Sequence, residues 1–244
     1  MSRYLTQNLG KFDGDDACAN WLPVQGVGVP FEIMRFRLTY DGELKAAGNT
    51  KRAKDKWAIR RAIHPQLADF WENDPVMKRA RPGAVVPKDG GYFWIESGHF
   101  EERGPQEVDA DNYVDLLEPI TMDGHNFVPL IRSSLHLACS LDIVFMRRGE
   151  IGSLVSQDGD IDNRIKILFD GLRMPTQGEM RGEVPNEDPF YCLLEDDSLI
   201  TGFKVDTDKL LSRPDASIHE VRLIIDVSVK VMRAGMYNMA FWAG

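Results

Sequence analysis

Cysteine is scarce in this chain, and its scarcity is informative. Cys18, Cys139 and Cys192 are odd in number and widely spaced, so they make neither a disulfide framework nor a Cys-x-x-Cys zinc site. A reducing, cytoplasmic setting with buried thiols is the expectation. Long apolar runs are missing too. None approaches the roughly 20 residues that a bilayer-spanning helix needs, so no membrane partner is expected. The opening MSRYLTQNLGKFDGDDACANW lacks the apolar core of a secretory signal. His64, His99, His125, His136 and His219 form no HxH or HxxxH pair, which argues against a histidine metal site. A phosphate-cradling GxxxxGK[ST] loop and a GxSxG elbow are absent as well.

What is present is an ordinary globular composition, 43% hydrophobic and 27% charged, in a length of 244 residues that can bury a proper core. The formal charge of −9 opposes general affinity for nucleic acid. The charge is uneven, however. Residues 150–217 hold 15 Asp and Glu against 7 Lys and Arg, leaving the rest of the chain nearly neutral. Within that remainder KRAKDKWAIRR places Lys51, Arg52, Lys54, Lys56, Arg60 and Arg61 around a single acid, Asp55. A basic strip beside an acidic centre suits a metal-dependent nuclease, which must hold both cations and phosphates. Such a strip is also what a solvated helix face looks like.

The hydrophobic pattern predicts a strand over 31–40, with Met34, Phe36, Leu38 and Tyr40 on its apolar side, and a helix from Thr50 that breaks at Pro65. LHLACSLDIVFMRR, 135–148, is apolar at period two on one face and partly on the other, as a central strand would be. A helix over about 160–172, an apolar run at 190–194 and strands near 199–206 and 219–232 follow. GYFWIES at 91–97 reads as a short strand and NYVDLLEPI at 112–120 as a helical turn. The expected organisation is an irregular arm at 1–29, one domain over 30–232 with insertions at about 73–125 and 174–192, and a tail at 233–244. The fold class is α+β: a single mixed sheet of four or five strands packed by two main helices. Trp21, Trp57, Trp71, Trp94 and Trp242 are read as core or interface anchors ahead of base-stacking platforms.

The stretch DGDIDNRIKILFDGL carries the most chemistry. Ile161, Ile165, Leu168, Phe169 and Leu172 form its core stripe, and Asp160, Asp162, Asn163, Lys166 and Asp170 fall on the flank and opposite side. Each polar residue has an ordinary explanation: Asp caps helices, acids in a first turn complement the dipole, and Asp162–Lys166–Asp170 is an i, i+4 ladder. The chemical alternative is that Asp160 and Asp162, with Asp196 and Asp197 from the later turn EDDS, hold Mg²⁺ or Mn²⁺. Lys166 would then face a phosphate, and Asp170 would hold Lys166 in place.

GDIDNRIKILFDGL followed by LEDDSLITGFKV resembles the signature of RusA-type Holliday junction resolvases. In that family an Asp-x-Asp-Asn motif, a downstream Lys and the end of the helix precede an Asp-Asp turn and a strand. The matching positions here are Asp160, Asp162, Asn163, Lys166, Asp170, Gly171 and Leu172, then Asp196, Asp197 and Ser198. The resemblance implies a homodimeric, Mg²⁺-dependent endonuclease acting on branched DNA. It implies Asp160, Asp162 and Asp197 as metal ligands with Asp196 as a further candidate, and Lys166 as a cation near the scissile phosphate. The likeness is specific over about 158–206, and elsewhere extends only to the order of elements. The chain is longer than that family's usual length, and its nearest preceding arginines, Arg147 and Arg148, lie well before the acidic motif. Two other readings remain open: a non-catalytic binding or assembly module of the same fold, and a nuclease for flaps, forks or RNA.

Overall fold

The computed structural model describes residues 31–45, 52–80, 85–87, 113–148, 160–181, 184–211, 217, 219–233, 238 and 241. Alternating residues build strand β1 (Phe31–Glu43), which buries Met34, Leu38 and Tyr40 on one face and exposes Arg35, Arg37 and Thr39 on the other. It pairs antiparallel with β9 (Glu220–Val231), and β9 pairs antiparallel with β6 (Leu137–Arg147). On the far side β8 (Ile200–Lys209) runs parallel to β6. The order is therefore β1-β9-β6-β8, a mixed four-stranded sheet. Val221, Leu223, Ile225, Val227 and Val229 of β9 are buried with Leu137, Cys139, Leu141, Ile143 and Phe145 of β6, so one face of the sheet is the main core.

A parallel pair needs a crossover. Between β6 and β8 the chain makes helix α3 (Asp160–Leu172) and strand β7 (Phe190–Leu194). β7 does not join the first sheet. It pairs parallel with β5 (His125–Ile131), which pairs antiparallel with β4 (Ile120–Met122). The single mixed sheet expected from sequence is thus two mixed sheets, of four and three strands, and a two-stranded ribbon of β2 (Val85–Pro87) and β3 (Tyr113–Asp115) accompanies them. The α+β class holds. The apolar run at 190–194 is the strand that seeds the second sheet: Phe190, Cys192, Leu193 and Leu194 are all buried, which a one-sheet layout would not require. Parts of both expected insertions are therefore structural, since β4 lies within 73–125 and residues 190–192 open β7. Where a helical turn was expected, 113–115 is strand β3. The arm at 1–29 and the strand expected at 91–97 lie outside the described residues.

Helix α1 (Arg52–Asn73) packs against α3, β7 and β1, and the short α2 (Pro75–Ala80) follows it. Contrary to expectation α1 does not break at Pro65. A proline there removes one intrahelical donor. Burial of Ile59, Ile63, Leu67 and Trp71 along one side, before and after Pro65, outweighs that loss. Gly171 brings α1 and α3 together: a Cβ at that position would lie 2.8 Å from Ile59 Cβ. Arg132 is 3% exposed and donates to the carbonyls of Pro129, Leu116, Glu118 and Leu117, tying the turn after β3 to the end of β5. Asn238 and Phe241 are buried, and Asn238 Nδ2 donates to Leu135 O at 2.8 Å, so this part of the terminal segment packs back on the core.

Candidate functional site

Helix α3 turns Arg164, Ile165, Ile167, Leu168 and Leu172 inward and leaves Asp162, Asn163 and Lys166 exposed. The Arg164 guanidinium donates to Leu44 O, pinning this helix to the end of β1. The expected stripe is present but broader, because Ile167 joins it and Ile161 and Phe169 are only half-buried. Asp160 is the first helical residue; its side chain lies outside the described residues.

The acidic pair lies directly between β7 and β8. Asp196 starts a short 3-10 turn over Asp197–Leu199, accepting the Ser198 N–H at 3.0 Å. Hydrogen bonds from Ser198 hold its carboxyl below the usual range, and Arg173 adds to the effect. Asp196 and Asp197 are exposed, and the turn packs against α3. The fold therefore places Asp162 and Asp197 on neighbouring elements, both open to solvent. Among the described residues no three His, Cys, Asp or Glu side chains form a metal-holding group. A hard divalent cation fits this donor chemistry, exposed carboxylates on adjacent elements.

Beneath this surface lies a buried ionic cluster that sequence reading did not foresee. Lys56 Nζ sits 2.9 Å from Asp170 Oδ2 and 2.5 Å from Glu179 Oε1. Arg60 NH2 reaches Glu179 Oε2 at 2.9 Å, and Arg173 NH2 reaches Asp170 Oδ1 at 2.7 Å. The backbone contributes: Arg60 donates to the carbonyls of Asp170 and Arg173, and the Trp57 indole donates to Glu179 O. Burial pushes the carboxyls of Asp170 and Glu179 up, but the surrounding cations outweigh it and both stay below their ordinary range. Arg173 is likewise opposed by burial, then held protonated by Glu179, Asp170 and Asp197, so it links this cluster electrostatically to the acidic turn.

The basic strip divides accordingly. Lys54 and Arg61 are exposed, whereas Lys56 and Arg60 face inward, with the Arg60 side chain only 1% exposed. Lys51 lies outside the described residues, as does the Arg52 side chain. Asp170 pairs with Lys56 and Arg173, so the i, i+4 ladder to Lys166 is not its role. This division has one physical cause: α1 packs on α3, and Lys56 and Arg60, one turn apart, share the face turned toward it.

Two participants had signals that could have been noticed. Thr176 and Glu179 have capping-box spacing, and the Thr176 N–H donates to Glu179 Oε2 at 3.1 Å. His64 had none: its Nδ1 accepts the Tyr191 N–H at 2.9 Å, and its ring stacks on Phe190 at 4.4 Å. Comparison with family models, curated proteins and solved structures returned no match.

Proposed function

We propose that the chain is a metal-dependent DNA endonuclease of the RusA-like class, acting on branched DNA from a single RusA-like domain. The observation carrying this reading is the joint placement of the Asp-x-Asp-Asn helix and the Asp-Asp turn on packed neighbours. Asp160, Asp162 and Asp197 would hold Mg²⁺ or Mn²⁺, with Asp196 beside them. A metal held by these carboxylates would supply Lewis acidity at the phosphate and would acidify a water for attack. Lys166 is exposed one turn beyond Asp162 and serves to balance charge developing on the phosphate. Lys54 and Arg61, with Lys51 and Arg52, guide the DNA backbone, and a homodimer provides two sites for paired cuts.

The test is cleavage of a synthetic four-way junction in Mg²⁺, with flap, fork and RNA substrates alongside. Wild type should cut, and Asp162→Asn and Asp197→Asn should lose at least a hundredfold in rate; if the variants cut like wild type, the assignment is wrong. A non-catalytic binding module is the second reading. Its support is the −9 charge together with the commitment of Lys56 and Arg60 to the interior. Binding without cutting in any divalent metal would establish it.

A further inference from the structure

Among the described residues Phe203 is the one exposed aromatic side chain, at 57%. It sits on β8, the margin of the four-stranded sheet, opposite Leu141 of β6. Residues paired across strands share a face, so the ring leaves the core side of the sheet, where Leu141 is buried, and projects past the last strand. There it meets the half-buried Phe169 of α3, with 5.1 Å between ring centroids and 79° between planes. In this edge-to-face contact one ring backs the other and leaves ring surface open to solvent. Phe169 in turn stands in line with the chemistry of α3. Asp162, Lys166 and Phe169 recur at i, i+4 and i+7, so a carboxylate, an ammonium and the aromatic pair follow one another along one side of the helix.

We propose that Phe203, backed by Phe169, is the platform for one unstacked nucleobase of the substrate, with a phosphate of the same strand on Lys166. This rests on the reading of the chain as acting on DNA, and it names the feature selected: an unpaired nucleotide at the branch, as a flap, a fork or an unstacked exchange point presents. A base inside a duplex has a neighbour on each face and does not reach a protein ring, whereas an unpaired base offers its face at small cost. The spacing suits a single strand. Lys166 and Phe169 are about 5–6 Å apart at Cβ, so when a phosphate rests on Lys166 a neighbouring nucleotide brings its base to the ring. The charge of the chain points the same way. Phosphate contacts need free cations, yet the formal charge is −9, Lys56 and Arg60 are engaged with Asp170 and Glu179, and Lys204 beside the ring lies 2.6 Å from Asp206. A surface short of cations draws on contacts that carry no charge, and stacking on an aromatic ring is one that every base can make.

Fluorescence anisotropy tests this, with Ca²⁺ in place of Mg²⁺ and a DNA carrying a short single-stranded flap compared with a blunt duplex of equal length. Wild type should hold the flap more tightly. An abasic site, which keeps the phosphate and removes the base, should be walked through the first unpaired nucleotides. At one of them it should weaken binding about tenfold, the loss of one stacked base. Phe203→Ala should weaken binding of the intact flap by a similar factor and then be indifferent to that abasic site, because ring and base are the two halves of one contact. Phe203→Leu keeps apolar bulk against Phe169 and should bind like Phe203→Ala, while Phe203→Trp should keep wild-type affinity. The side chain is exposed, so circular dichroism should be unchanged in all three variants. Equal affinity of wild type and Phe203→Ala, an abasic penalty as large in Phe203→Ala as in wild type, or full affinity in Phe203→Leu would each overturn the platform and leave the endonuclease reading standing. Failure of wild type to bind any of these DNAs would overturn both.

Discussion

Lys56 Nζ lies 2.9 Å from Asp170 Oδ2, so the basic strip of α1 and the acidic motif of α3 meet inside the fold. The same ammonium touches Glu179, which also pairs with Arg60 and Arg173. Removing the charge of Glu179 leaves three cations around one carboxylate. Breaking a buried pair from one side costs about 3–5 kcal/mol. Glu179→Gln should therefore lower stability by about 3 kcal/mol in urea unfolding; a loss below about 1 kcal/mol would show that solvent already screens the cluster.

The pH response centres on three enclosed, depressed groups, beside which Glu43, Asp196 and Asp226 are depressed near the surface. Burial keeps His64 neutral, so its folded pKa is below the ordinary 6.5. Asp170 and Glu179 titrate below the ordinary 3.8 and 4.5, because their cations outweigh burial. In all three the unfolded chain takes up protons first, so their stabilisation is complete above the ordinary values and is lost as pH falls toward the folded ones. Stability measured against pH should decline in two stages, one beginning near 6.5 and one near 4.5. His64→Gln should flatten the first and Glu179→Gln the second; an unchanged profile in either variant would refute that assignment.

Gly171 has a packing role that leaves little room for substitution. A Cβ there would stand 2.8 Å from Ile59 Cβ and Cγ2, so Gly171→Ala must push α1 and α3 apart. Overpacking of this kind costs about 1–3 kcal/mol, more than the helix-propensity gain of about 1 kcal/mol. The variant should be less stable than wild type by thermal unfolding, and pairing it with Ile59→Ala should cost less than the two changes summed.

Asp162 and Asp197 are exposed, so their loss should separate metal binding from folding. Asp162→Asn and Asp197→Asn should each stay within about 0.5 kcal/mol of wild-type stability, while Mn²⁺ affinity by calorimetry falls at least tenfold. Equal Mn²⁺ affinity in wild type and both variants would remove these carboxylates from the site.

Sequence pattern revealed what depends on local periodicity. β1, β6, β9 and the core stripe of α3 are legible because their apolar residues recur at the period of the element that holds them. The second sheet was hidden. Phe190–Leu194 is apolar on both faces, and a short run of that kind does not say which sheet it joins. The inward turn of Lys56 and Arg60 was invisible for a related reason. A cation is read as solvated until a partner is known, and theirs, Asp170 and Glu179, lie more than a hundred residues away. Pro65 misled because a missing backbone donor is local, whereas the burial that overrides it is tertiary.

The position of β9 has a consequence for how the chain is made. It is the last described strand in sequence yet lies between β1 and β6, so β1 has no sheet neighbour, and β6 has only β8, until residue 231 has been synthesised. At roughly 5–20 residues per second, about 10–40 seconds separate the appearance of β1 from that of its partner. During that interval β1 is an unpaired strand with one apolar face, and β6 lacks its partner on one side, so both need shelter from other nascent chains. A stop codon anywhere before β9 would therefore release a chain in which at most the β6–β8 pair of this sheet can form, with β1 left apart from it.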